Sequence, residues 1–464
     1  MKKKPNILFI MSDQHRYDCM GYSGIYPVKT PHIDRIAAEG MHFSRAFTPI
    51  PLCCPARQCL INGRRPETFG VYWNYNGGGL PAPGLRPQEY AWPRRLKEAG
   101  YLNGHIGKWH VNPEYDPRSF GYDAYVNEWD YHKYREERFP GVKYKNGWFG
   151  EADPLPVEHS ATHWLAGQAI KLMERYECDG APWYLQLNFP EPHLPCRPAG
   201  EFASMYGTRE IPVWQNFREE FTHKPYIQKQ QLYSWGIENY SWNDWAPIVA
   251  RYYGIISQMD QAIGMVLDTL ERLGAAENTI VIYTSDHGDM CGAHRMIDKH
   301  YVLYDDVVRI PLAVRWPGKI KAGSVCEEFV YNVLDLPPTI FEILGFAPEE
   351  HFQGRSLLRL LEGLNVPDWR TEVVSTYNGQ QFGLYTQRML RDRRWKYIWN
   401  TTDVDELYDL ERDPGELTNL IHEPEYGSLV AEMRRKLYET LLAEGDKLPA
   451  NPWMKHQLLD GKKI

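Results

Sequence analysis

Several things are scarce in this sequence, and each scarcity removes a class of function. No apolar stretch approaches the ~20 residues needed to span a bilayer, so no membrane segment is expected and a membrane is not a partner. Three lysines follow Met1, but the apolar run after them, 6–11, is too short for a secretory signal core. Positive charge is not in excess: Lys+Arg 52 against Asp+Glu 60 leaves a net charge of −8. Binding nucleic acid by phosphate neutralisation needs the opposite balance, so nucleic acid is excluded as a partner. Cys-x-x-Cys pairs are missing, which removes the common zinc spacing. Internal repeats and low-complexity tracts are missing too.

What is there is the stock of a soluble enzyme. The chain has 464 residues, about three times the ~150-residue prior for one domain, with 43% hydrophobic and 24% charged residues. That composition excludes a disordered chain. The eight cysteines, at 19, 53, 54, 59, 178, 196, 291 and 326, are scattered along a long chain. Disulfide frameworks belong to short secreted chains, so these are read as reduced thiols and the protein as cytoplasmic. Aromatics reach 14%; they suit sugar or aryl faces, but a large core and ordinary surface aromatics account for them first.

Residues 6–11, 183–188 and 279–284 are continuous apolar runs, the pattern of strands buried on both faces of a parallel sheet. Each run ends in polar residues: Asp13-Gln14, His193 after a Pro-rich turn, and Asp286-His287. Open α/β sheets bind ligands at the carboxyl ends of their strands, so three such endings together mark a site. Helix signals lie between, at 31–39, 92–99, 160–175 and 246–273, with Gly following three of them. The fold class is therefore α/β, a large, mostly parallel or mixed sheet flanked by helices over 1–365. From 366 to 464, short strands at 372–376, 383–390 and 395–399 precede a helix at 426–444, an α+β unit on an antiparallel sheet. Two aromatic, charged, Gly- and Pro-rich stretches, 115–156 and 207–244, are expected as long loops over the site where substrate is chosen.

The densest segment is Cys53-Cys54-Pro55-Ala56-Arg57, continuing to Gly63-Arg64. Pro55 can open a helix in its first turn, which would set Cys53 just before an N-terminus that favours anions. A buried thiol pair ahead of a helix would read the same way. Singly, the other candidates are also ordinary: Asp13 and Asp286 could cap turns, His110 and His193 could be core histidines, and Lys108 and Lys299 could be solvated.

Cys53-x-Pro55-x-Arg57 resembles the signature of the type I sulfatases, of the alkaline-phosphatase-like superfamily, with Ala56 where Ser is commoner. Further segments match in order: Asp13-Gln14, with Gln14 for a more usual Asp; Gly107-Lys108-Trp109-His110; Pro192-His193-x-Pro195; Ser285-Asp286-His287-Gly288, with His287 where many members have Asn; and Lys299. The resemblance implies that Cys53 is converted to formylglycine by a formylglycine-generating or sulfatase-maturing enzyme, while Cys54 is the variable position. It implies one divalent cation, Ca²⁺ ahead of Mg²⁺ or Mn²⁺, held by Asp13, Gln14, residue 53, Asp286 and His287. Oxygen ligands suit those hard cations, while the histidine nitrogen leaves a transition metal open.

The chemistry explains the set. A sulfate ester is a shielded, negatively charged electrophile with a poor leaving group. The resemblance implies a cation-activated aldehyde hydrate as nucleophile, Arg57 holding that hydrate, Lys108 and Lys299 on the sulfate oxygens, His110 as base and His193 as acid to the leaving oxygen. The expected function is hydrolysis of an O-sulfate ester on a small molecule or oligosaccharide. Residues 63–68 and 72–76 look similar to iduronate-2-sulfatases, which points to a uronic acid 2-O-sulfate from a glycosaminoglycan. A phosphonate monoester or phosphodiester hydrolase of the same superfamily is the alternative enzyme; a non-catalytic sulfoglycan-binding protein is the alternative of another class.

Overall fold

The computed structural model describes residues 4–75, 84–379, 381 and 383–463. Asn76, the last residue of the iduronate-2-sulfatase-like segment, lies outside them. The strands in chain order are β1 (Asn6–Asp13), β2 (Met41–Phe43), β3 (Ala46–Phe47), β4 (Leu102–Gly107), β5 (Ala124–Asn127), β6 (Trp183–Pro192) and β7 (Thr279–Ser285). They continue as β8 (Leu312–Arg315), β9 (Ser324–Cys326), β10 (Val330–Tyr331), β11 (Val373–Gly379), β12 (Tyr385–Arg391), β13 (Trp395–Asn400) and β14 (Glu406–Asp409). Eight form one mixed sheet in the order β5-β4-β6-β1-β7-β8-β2-β9. From β5 to β7 every neighbour is parallel; β8 runs antiparallel to both β7 and β2.

The three apolar runs are the adjacent central strands β6, β1 and β7. Side chains alternate across a strand, and in β1 Ile7, Phe9 and Met11 enter the core on one face while Leu8 and Ile10 enter that on the other. β7 repeats this, with Ile280 and Ile282 against Val281 and Tyr283. Each such side chain contributes roughly 1.5–3 kcal/mol on burial, which accounts for continuous apolar runs at the centre of the sheet. The helices Pro31–Ala38, Ala161–Asp179 and Trp242–Arg272 cover one face. Cys53–Asn62 and Asn332–Ile343 pack together on the other.

β11 to β14 form a separate antiparallel sheet in sequential order. The helix Gly427–Ala443 lays Val430, Met433, Leu437 and Leu441 on it, against Val374, Leu390, Tyr397 and Trp399. Buried ion pairs tie this sheet to the rest: Asp305 meets Arg391 at 3.0 Å and Lys396 at 2.7 Å.

Two expectations need correction. The 115–156 stretch is not simply loop, because it holds β5 and the helix Glu128–Arg138. That helix buries only Tyr131, so it has no apolar stripe for a sequence to display. Its start is fixed by a capping box, Asn127 with Asp130. The 207–244 stretch likewise contains the helix Tyr226–Trp235.

Candidate functional site

Four adjacent strands, β4, β6, β1 and β7, present their carboxyl ends side by side, and each is followed or ended by a candidate residue: Lys108, His193, Asp13 and Asp286. Gly107 makes the first of these possible. At φ +93° a Cβ there would lie 1.9 Å from the Asn188 carbonyl oxygen, so only glycine lets the strand turn Lys108 inward. Cys53 is delivered from the other direction, as the first residue of the helix Cys53–Asn62. The helix thus begins two residues before the proline rather than at it. Pro55 still falls within the first turn, where its missing N–H leaves no bond unmade.

These parts converge. One ligand atom each from Asp13, Cys53, Asp286 and His287 lie within 4.8 Å of one another, all buried. His287 donates from Nδ1 to the Gly288 carbonyl at 2.9 Å, which leaves the lone pair on Nε2 facing Cys53 Sγ at 3.1 Å. A tautomer pinned by a backbone carbonyl is the usual arrangement of a metal-binding histidine. Two buried carboxylates, a neutral nitrogen and the side chain at 53 fit a divalent cation.

Arg57 spans the two carboxylates, Nε on Asp286 Oδ2 at 3.0 Å and Nη2 on Asp13 Oδ2 at 3.1 Å. Lys108 Nζ reaches the same Asp13 oxygen at 2.8 Å. Burial alone would raise Asp13, but Lys108, with His193 and Arg57 behind it, holds its carboxyl well below the usual carboxylate range. Burial and then the Asp13 carboxylate push Asp286 up.

Gln14 sits at φ +70°, a conformation held by its surroundings. Its Nε2 donates to Asp289 at 2.7 Å and to Asp298 at 3.0 Å. Carboxylates only accept, so the amide oxygen must face the other way, and it accepts from Lys299 Nζ at 2.8 Å. Lys299 also donates to His193 Nε2 at 2.8 Å, while His193 Nδ1 donates to the Leu194 carbonyl. His110 is part-buried, with no partner for Nδ1 among the described residues and its ring centroid 5.6 Å from that of Tyr75. Burial and then Lys108 push its pKa well down, so it is a neutral imidazole.

All ten sequence candidates therefore meet at one place. Sequence reasoning missed Asp289 and Asp298, which orient Gln14 and whose only signal was adjacency to Asp286-His287 and Lys299. It also missed Glu191, which burial pushes up to about 8 and whose Oε2 has no partner among the described residues. His15, His105, His294 and His300, which match no motif segment, are all buried. His300 stands behind the site, on Asp298 at 3.0 Å. His15 bonds Tyr283, and His294 stacks on Tyr304 with centroids 4.0 Å apart. The site opens into a cavity of about 790 Å³. Residues of the 115–156 stretch form part of its wall, among them Glu128, Trp129 and Trp148.

A buried two-carboxylate centre with a side chain poised at a helix start, two lysines and two histidines, at the strand ends of this sheet, defines a hydrolase of tetrahedral oxyanion esters with the alkaline-phosphatase-like fold. The sulfatase family model matches residues 5–346, and the model for the C-terminal part of N-sulphoglucosamine sulphohydrolase matches 292–442. The chain belongs to the sulfatase family and is a sulfuric ester hydrolase. It is 29% identical to an arylsulfatase of Clostridium perfringens over 94% of each chain. It is 26% identical to an N-acetylglucosamine-6-O-sulfatase of Bacteroides thetaiotaomicron, over 94% of this chain and 86% of that one. The solved phosphonate monoester hydrolase of Agrobacterium radiobacter superimposes with a TM-score of 0.82 at 25% identity, over 96% of this chain and 97% of that one.

Proposed function

We propose that the protein hydrolyses an O-sulfate ester of a saccharide, using formylglycine derived from Cys53 and one divalent cation, Ca²⁺ ahead of Mg²⁺ or Mn²⁺. The observation that carries this is Cys53 at a buried helix start, its sulfur among Asp13, Asp286 and His287. A cation held by those residues and the Gln14 oxygen would neutralise sulfate charge and acidify a hydroxyl at position 53. Lys108 and Lys299 are the ammonium groups that a sulfate entering the cavity meets. Both are held protonated by the carboxylates beside them, which outweigh burial. Arg57 fixes the two carboxylates, so its hold on the hydrate would be indirect. His110, neutral and with no partner for Nδ1 among the described residues, is suited to take a proton. Cys53 is 1% exposed, so a maturing enzyme would meet it before the chain closes.

His193 is the proposed acid to the leaving oxygen. Its Nδ1 is anchored on a carbonyl, so Nε2 is the atom that exchanges protons, beside the Lys299 ammonium. His193→Ala is expected to slow an alkyl or sugar sulfate by roughly 10²–10⁴-fold and 4-nitrophenyl sulfate far less, since nitrophenolate needs no acid. Equal slowing of both would remove the acid role.

The saccharide reading is supported by the cavity's size and by Trp129 and Trp148 in its wall, exposed by 63% and 56%, as stacking faces for sugar rings. The named activity of the Bacteroides relative points the same way. A uronic acid 2-O-sulfate is the finer proposal. Unpaired cysteines, seven of the eight buried, suit a reducing compartment, and no helix among the described residues is long and apolar enough to cross a membrane. A division near residue 365 belongs to the same reading, with Tyr377 and Asn378 of the smaller unit lining the cavity.

The superimposing phosphonate hydrolase keeps a second reading open. Rates on an aryl sulfate and an aryl phosphonate monoester, measured side by side with mature enzyme, test it. Faster sulfate turnover is expected; faster phosphonate turnover overturns the proposal. Cys53 found wholly unmodified by peptide mass spectrometry in protein from a host with the maturing enzyme would favour the binding-protein alternative.

A further inference from the structure

The same cavity holds two cations that neither a metal nor a sulfate clamp uses. Arg135, on the helix Glu128–Arg138, and Arg197, just past β6, both line it. Their guanidinium carbons lie 4.6 Å and 3.9 Å from the centre of one ring, that of Tyr144. Among the described residues neither forms an ion pair. Arg135 donates from Nη2 to the Val142 carbonyl, and among the described residues the buried Nε atoms of both arginines have no partner. The nearby Asp153 is engaged by the Tyr144 hydroxyl at 2.9 Å. Burial pushes the Glu191 carboxyl up to about 8, which disfavours a compensating charge there, and it forms no ion pair with either arginine among the described residues.

Two like charges sharing one ring, with donors buried and unmade, is an unfavourable arrangement unless an anion completes it. Packing on the tyrosine face leaves the N–H edges of a guanidinium free for the paired hydrogen bonds that carboxylates and sulfates accept.

We propose that Arg135 and Arg197 receive a second anionic group of the substrate, a carboxylate or a further sulfate carried on the saccharide whose ester is cleaved. This rests on the sulfatase reading and makes the substrate a dianion. The exposed faces of Trp129 and Trp148, in the same wall, suit the sugar ring that would carry both groups.

The test is a ratio: kcat/KM on a dianionic substrate divided by kcat/KM on 4-nitrophenyl sulfate, for wild type, Arg135→Ala, Arg197→Ala and Arg197→Lys. One arm uses a 2-O-sulfated uronate disaccharide and its carboxyl methyl ester; the other uses a disulfated and a monosulfated glucosamine. Losing a charge-assisted bond lowers the ratio by roughly 10- to 100-fold, and only in the arm whose second anion is the real one. Arg197→Lys is expected to fall between, because lysine keeps the charge without the planar fork. A ratio unchanged in every variant overturns the proposal. Calorimetric titration of Cys53→Ala protein with the same pairs gives a reading independent of turnover. A preference for the dianion that disappears in Arg197→Ala supports the subsite even if no sulfate ester is hydrolysed, and no preference at all rejects it even if one is.

Discussion

Cys53→Ala protein is expected to fold, to keep its melting temperature within a few degrees, and to lose turnover of any sulfate ester by about 10⁴-fold or more, the scale of removing a nucleophile. The side chain at 53 is the one member of the cluster that is neither a fixed carboxylate nor an imidazole, and it faces both at 3.7 Å and 3.1 Å. Cys53→Ser separates the aldehyde chemistry from mere nucleophilicity. A single hydroxyl can attack once but leaves a stable sulfate ester, so a burst of at most one turnover is expected where an aldehyde hydrate would recycle. Cys54→Ala supplies the contrast. Cys54 is equally buried; alanine retains its backbone N–H bond to Asn74 at 2.9 Å and loses only the thiol's bond with the Tyr75 backbone. Its cost should be about 1 kcal/mol in stability, with turnover little changed. Steady-state rates and thermal melts of the three variants check this; a Cys53→Ala enzyme with several per cent of wild-type activity would sink the assignment.

Arg57→Ala is expected to show the second large effect, in stability as well as rate. Arg57, 2% exposed, bonds both cation-site carboxylates at once through its guanidinium, and no other group among the described residues does so. Without it two buried carboxylates face each other with less compensation, a loss on the scale of 3–5 kcal/mol for a broken buried pair. A bound divalent cation would restore part of that charge. The drop in melting temperature should therefore be larger in chelator than in millimolar Ca²⁺, and turnover or cation affinity should fall by roughly 10- to 100-fold, as for loss of a residue orienting metal ligands. Arg57→Lys should recover little, because one ammonium cannot span the Asp13 and Asp286 oxygens with fixed geometry. Equal destabilisation with and without cation would show that Arg57 serves only packing.

What could be read in advance follows a physical pattern. The strands β1, β6 and β7 were legible because burial on both faces writes itself as an unbroken apolar run, and their endings were legible because three polar endings of one kind coincide where open α/β sheets bind ligands. The helix Glu128–Arg138 was not, since a helix that buries one tyrosine is held by its cap and its neighbours rather than by an apolar period. Gln14 stood out as a departure from a motif, yet its orientation could not be read, because it depends on Asp289 and Asp298 more than 270 positions away.

The sequence by itself marked the sheet's central strands and offered ten candidate site residues, the strands as unbroken apolar runs and the residues through their resemblance to a family's motifs. Only the tertiary structure decided that Arg57 spans two carboxylates, that His287 offers Nε2 and not Nδ1, and that Arg135 and Arg197 meet over one tyrosine. Those depend on distances between segments far apart in the chain, set by how the sheet orders its strands and what packs across their ends.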